Sequence, residues 1–146
     1  MPRTQRSRKV CTPPKMLGFR PYGLKKCKKK SIVLNYDEFE GLKYINYDKL
    51  SQDEAAEKMG ISRPTFTRLH NSALNKIAKA FVECLIIEIE GGNVVFERDW
   101  YKCGICFKLI DGIENHKKCK NCNSFGDNEL VNINPSKKIN LLPDEA

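Results

Sequence analysis

Four cysteines spaced Cys103-x2-Cys106-x12-Cys119-x2-Cys122 are the residues of this chain whose type and spacing point most directly to chemistry. Each pair offers two thiolates to one cation from a tight turn, and twelve intervening residues suffice for a hairpin that closes the four into a tetrahedron. A thiolate-rich site without an open position is structural, so the expectation is one zinc ion whose binding energy folds a small zinc-ribbon-like module. Iron, in an iron–sulfur centre or a rubredoxin-like site, and metal-free redox thiols are the alternatives. His116 could stand in for Cys119 as a ligand. Lys102, Lys108, Lys117, Lys118 and Lys120 would offset the negative charge, and Trp100, Tyr101 and Phe107 would supply apolar cover. Cys11 and Cys27 have no matching spacing and read as free thiols; Cys84 reads as a core residue.

A second set lies in "MGISRPTFTRLH", Met59 to His70. Advancing about 100° per residue, Phe66, Leu69, Ala73, Ile77, Ala80, Phe81 and Cys84 share one side of a helix from 63 to about 84. The opposite side shows Pro64, Thr67, Arg68, Asn71, Asn75 and Lys79, with Arg63 and Thr65 flanking. Arg68 can bond guanine bidentately and Asn71 adenine. His70 falls nearer the apolar side and reads as a histidine at the edge of the core. The alternative is that this is only the solvated face any amphipathic helix shows.

The elements that must position this face are legible locally. "LSQDEAAEKMG" has Ser51 as N-cap with Glu54 three residues on, a reciprocal capping box, and Leu50 ahead of it as a staple. Gly60 ends that short helix because glycine takes the left-handed conformation without steric cost. Ser62 caps the next helix, with Arg63 and Pro64 in its first turn. Two helices separated by a short glycine-bearing turn have helix-turn-helix spacing. Upstream, "LNYDEFEGLKYINYDKL" predicts a helix near 35–46, with Asp37 and Glu38 at its positive end and Gly41 weakening its interior. Downstream, "LIIEIEGGNVVFE" sets two apolar, β-branched runs about Gly91-Gly92 and predicts a hairpin.

Charge separates the chain further. Of 146 residues with formal net charge +8, residues 1 to 30 carry 11 Lys/Arg and no Asp/Glu, while the rest carry 15 basic against 18 acidic residues. Residues 1–31, with four of the seven prolines, therefore read as a basic extended arm, with Arg3, Arg6, Arg8 and Lys9 as phosphate contacts. Residues 32–97 read as the helix-turn-helix domain with its hairpin, 98–134 as the cysteine module and 135–146 as a tail. The fold class expected is mainly α. No apolar run approaches the ~20 residues that cross a bilayer, and no signal-peptide pattern opens the chain, so a cytoplasmic protein is expected. The chain has no G-x-S-x-G, phosphate loop or H-E-x-x-H, and neither histidine neighbours a plausible nucleophile; a non-enzyme is expected.

The start "PRTQRSRKV", the segment "GFRPYG", the run from "LNYDEFEGLKYINYDKL" through "SQDEAAEKMGISRPTFTRLHNSALNKIAKAFVE", and "IEIEGG" together resemble the uncharacterised protein family 0251, also called domain of unknown function 134. The resemblance covers residues 1 to 92, and "DEFE" with "LSQDEAAEKMGISRPTF" is its specific part. Gly41, Tyr44 and His70 depart from it, standing where alanine, leucine and an aliphatic residue are expected. The family is one of small predicted DNA-binding proteins, and the helical segment is similar to the promoter-reading region of sigma factors. The resemblance implies a DNA-binding role and supplies no target sequence.

The expected function is thus a sequence-specific DNA-binding regulator of transcription, with helix 63–84 in the major groove. RNA polymerase or another protein would meet the zinc module, and a homodimer is compatible. Two alternatives stay open: an RNA- or ribosome-associated zinc-ribbon protein, and an adaptor whose cysteines sense metal or oxidation.

Overall fold

Strands are more numerous than the sequence pattern suggests, and the expectation of a mainly α fold is corrected. The computed structural model describes residues 6–25, 30–103, 109–112 and 130–133. Among these, three α-helices are joined by eight short strands in three small sheets. In chain order they are β1 (Arg8–Val10), β2 (Gly18–Phe19), β3 (Ser31–Leu34), α1 (Tyr36–Leu42), α2 (Gln52–Met59), α3 (Arg63–Glu83), β4 (Ile86–Ile89), β5 (Val94–Phe96), β6 (Trp100–Cys103), β7 (Leu109–Asp111) and β8 (Leu130–Asn132). A π-helical turn, Lys43–Tyr47, continues α1.

The leading basic segment is not a detached arm over its described length. β1 lies parallel to β5, with Arg8 opposite Val94 and Val10 opposite Phe96. Val10 is only 1% exposed. β2 is antiparallel to β4, and β3 parallel to it, so β4 is the middle strand of its sheet. Strands of two or three residues carry no periodicity, and their pairing is decided by partners far along the chain. That is why a proline-rich, charged stretch reads as extended and unpaired.

The expected hairpin is also absent, because β4 and β5 belong to different sheets. Gly91 and Gly92 do turn the chain, at φ +68° and +97°, but the turn is fitted to α1. The Gly91 carbonyl accepts the Tyr36 N–H at 3.1 Å. A Cβ on Gly92 would lie 2.9 Å from Asp37 Oδ1. The glycines allow close approach to a helix start, and the flanking strands then part.

The helix boundaries follow the local chemistry. Ser51 Oγ accepts the Glu54 N–H at 3.2 Å while the Ser51 N–H donates to Glu54 Oε2 at 2.8 Å. The Ser51 N–H and the Ser51 hydroxyl both donate to the Glu54 carboxylate and hold it below its ordinary range. Gly60 caps α2 at φ 68°, and Ser62 Oγ accepts the Thr65 N–H at the start of α3.

Two clusters share α3. Its first turns place Phe66 and Leu69 among Tyr44, Ala55, Ala56 and Met59. Further on, Ala73 and Ala80 pack with Val10, Leu34, Tyr36, Ile87 and Phe96. Phe66 is fully buried, and truncating such a ring to alanine costs roughly 3–5 kcal/mol. The predicted apolar stripe ends early: Phe81 is 73% exposed. Cys84 is likewise exposed and caps the helix in the left-handed conformation at φ 55°, so it is a turn residue and not part of the core.

Candidate nucleic-acid interface

α3 is held against α1 and α2 by polar ties as well as by its buried stripe. Thr67 Oγ1 donates to Gln52 Oε1 of α2 at 2.6 Å. Glu38, at the start of α1, receives Lys76 Nζ at 2.7 Å and Ser72 Oγ at 2.7 Å. The same carboxylate accepts the Asn35 N–H. It therefore satisfies the helix start and fixes α3 at once. Sequence reasoning missed this role, although Ser72 and Lys76 stand one turn apart on α3.

What this leaves facing outward is Arg68, Asn71 and Asn75, all exposed. None of the three makes a side-chain hydrogen bond among the described residues. With Lys79 and the clamped pair Ser72 and Lys76 they border an open depression of about 490 Å³, floored by Ile32. Spacing of three and four residues puts the three on one side of the helix, opposite Phe66, Leu69 and Ala73. Long and short donors thus project from a rigid element, which is the geometry base-edge reading needs.

The other expected contacts divide. Arg63 is exposed and pairs loosely with Asp53 at 3.4 Å. Thr65 shares its hydroxyl with Ser62 Oγ at 2.8 Å and so belongs to the helix cap. Thr67 belongs to the α2–α3 clamp. Arg6 and Lys9 are exposed. The Lys9 stem lies beside the α2–α3 turn, 3.9 Å from where a Cβ on Gly60 would stand. Arg8 is a correction: its guanidinium pairs with Asp37, which is 1% exposed, and the arginine is itself 18% exposed. It is engaged inside the fold. Arg3 lies outside the described residues.

His70 is 8% exposed, as its helical position suggests, with Nε2 2.9 Å from Asn46 Oδ1 and its ring stacked on Phe66. Burial lowers its pKa.

Of the four cysteines, Cys103 is described and buried at the end of β6; Cys106, Cys119 and Cys122 lie outside the described residues, as do Cys27 and His116. β6 runs antiparallel to both of its neighbours, with Lys102 opposite Leu109 of β7 and Cys103 opposite Leu130 of β8. Among the described residues no cluster of three or more metal-ligating side chains occurs. Nor does any described helix have the length and apolarity to cross a membrane.

The family model "Protein of unknown function DUF134" matches residues 1–97. A "UPF0251 protein" of Chloroherpeton thalassium is 39% identical over 126 residues, covering 85% of this chain and 83% of that protein. One from Methanothermobacter thermautotrophicus is 38% identical, covering 91% and 68%. One from Clostridium tetani is 35% identical, covering 90% and 88%. No solved structure matches the chain. A family match spanning the residues from the leading basic strand through β5, joined to relatives of this identity over most of their length, makes the chain a member of the DUF134, or UPF0251, family.

Proposed function

We propose that the chain is a sequence-specific duplex-DNA-binding protein that regulates transcription. α3 enters the major groove with Arg68, Asn71 and Asn75 toward base edges, while Arg6, Lys9 and Lys79 meet phosphates. One observation supports this above the rest: three exposed side chains able to read bases stand on one side of a long helix whose other side is buried at Phe66, Leu69, Ala73 and Ala80. The ties through Gln52 and Glu38 support it further, because a reading helix must be held rigid. The placement of Lys9 beside the α2–α3 turn puts positive charge next to the face that would meet the duplex.

In the same reading, Cys103, Cys106, Cys119 and Cys122 hold one structural zinc ion, which supplies folding energy to the β6–β8 module and takes no part in a reaction. That module is the surface offered to a protein partner.

The deciding experiment is selection of bound sequences from a random pool of duplexes at low ionic strength, followed by competition with structured RNA. Enrichment of a defined sequence that RNA fails to displace is the expected result. Preferential binding of RNA, or no affinity for any duplex, would overturn the reading.

A further inference from the structure

A hollow of about 740 Å³ opens between the sheet of β2, β4 and β3 and the β6–β8 module. Tyr36, Ile87, Ile89 and Ile133, all buried, give it an apolar wall, and Lys102 lines it with them. Lys102 is only 7% exposed and makes no hydrogen bond or ion pair among the described residues. Lysine is almost never buried to this degree without a partner, because an ammonium withdrawn from water needs an acceptor in the water's place. The other charged residues of the lining, Lys15, Arg20, Glu88 and Glu90, are all exposed.

We propose that this hollow binds a small organic monocarboxylate with an apolar body, whose carboxylate pairs with Lys102. Orientation is the first support. Successive side chains of a strand point to opposite faces, so Lys102 shares a face of β6 with Trp100. Trp100 packs against the cluster that contains Tyr36, Ile87 and Ile89, and those three residues form the wall of the hollow. The face of β6 that carries the ammonium therefore looks onto that wall.

The second support is charge. The exposed charges of the lining, two basic and two acidic, cancel, which leaves the single positive charge of Lys102. One buried cation is matched by one negative charge, as a carboxylate supplies and a dianionic phosphate exceeds. The third is size and polarity. Small-molecule sites are hollows of this volume, mostly apolar, with a few placed polar groups, and they lie where structural units meet. An aliphatic or aromatic acid fits both the apolar wall and the lone ammonium.

The test is calorimetric titration of the full chain with hexanoate, with hexanamide as the uncharged analogue and inorganic phosphate as a second anion. Hexanoate should bind a single site with a dissociation constant on the order of 1 mM or below, within reach of about eight heavy atoms. Hexanamide should bind about tenfold more weakly or worse. Trp100, the one tryptophan of the chain, should change its emission with the same midpoint. Lys102→Met, which keeps the volume of the stem, should bring hexanoate down to the level of hexanamide. Should that variant fail to fold, the contrast between hexanoate and hexanamide on the unmodified chain decides alone. No saturable binding of hexanoate up to about 20 mM overturns the proposal. So does equal affinity for hexanoate and hexanamide, or phosphate that displaces hexanoate at equal concentration. A Lys102→Met variant that binds hexanoate unchanged overturns it as well. Cys103 also lines the hollow, so bound metal is measured alongside: its loss from folded Lys102→Met would assign the ammonium to the thiolates and overturn the proposal. The titrations contain no nucleic acid, so their outcome is independent of the DNA-binding reading.

Discussion

The Arg8 guanidinium, on the strand that opens the described fold, is paired with the Asp37 carboxylate at the start of α1, 29 residues later. Burial pushes the Asp37 pKa up, and the arginine's charge and hydrogen bond pull against that shift without cancelling it. Removing one partner of a buried pair leaves the other charge uncompensated. Arg8→Gln should therefore lower stability by roughly 3–5 kcal/mol at neutral pH, read from urea unfolding.

The sign of the pH dependence follows. A carboxyl whose pKa is raised in the fold disfavours the folded state once it ionises, and the loss of Arg8 raises that pKa further. The destabilisation should then shrink as pH falls through the raised folded-state values, a window that lies above the ordinary carboxylate value of about 4. A pH-independent loss would show that Arg8 contributes packing and not charge.

Gly41 is a helical glycine facing the fully buried Phe66. A Cβ there would sit 3.5 Å from Phe66 Cε2 and 3.7 Å from Leu69 Cδ2, ordinary contact distances. Gly41→Ala should therefore keep the α1–α3 packing and gain helix propensity, raising stability by roughly 0.5–1 kcal/mol. A loss in urea unfolding would mean that the helices cannot yield the space.

Which features the sequence disclosed depends on how far apart the interacting residues are. Ser51 and Glu54 cap a helix across three residues, Gly60 ends it by its own backbone freedom, and Ser62 with Thr65 starts the next. Each is legible because cause and effect share one turn. The exposure of Arg68, Asn71 and Asn75 follows from helical periodicity in the same way. β1 is different, since its partner strand begins at Val94 and the neighbouring Ser7 hydroxyl bonds Asn93 across 86 residues. Nothing local in "RSRKV" distinguishes an arginine bound for a buried carboxylate from one bound for a phosphate. Gly91 and Gly92 misled for a related reason: a turn between two strands was evident, but not the helix start against which it packs.

His70 supplies a test of the α1–α3 packing by pH. Its imidazole is kept neutral by burial, and with Asn46 Oδ1 accepting, Nε2 carries the proton. In the window between the lowered folded pKa and the unfolded value near 6.5, the unfolded chain binds more protons than the folded one. The stability is whole above that window and is lost as pH falls through it. His70→Gln, which keeps an amide donor for Asn46 and does not titrate, should flatten the fall in melting temperature between about pH 7.5 and 5. Identical slopes for both proteins would remove His70 as the cause.

Cys103 is the described member of the four-cysteine array and is 2% exposed. Under the zinc proposal, Cys103→Ser should lower bound zinc from one equivalent toward none by elemental analysis. It should also unfold the β6–β8 module while the helical signal persists, because the clusters that hold α1, α2 and α3 draw on that module only through Trp100. A full equivalent of zinc retained by the variant would count against Cys103 as a ligand.

Arg68 and Lys9 separate the two terms of DNA affinity. Arg68 is placed to meet a base, so Arg68→Ala should cost roughly 1–3 kcal/mol on a preferred duplex and much less on unrelated ones. Lys9, on the strand beside the α2–α3 turn, is placed to meet a phosphate. Lys9→Ala should weaken binding to every duplex alike and reduce the slope of log affinity against log salt by about 1. Arg8→Gln is the internal control, because its charge is already taken by Asp37: measured where the variant is still folded, its salt slope should match that of the parent. A drop in slope for Arg8→Gln equal to that for Lys9→Ala would mean that the guanidinium leaves Asp37 to reach the duplex, and that the buried pair opens on binding.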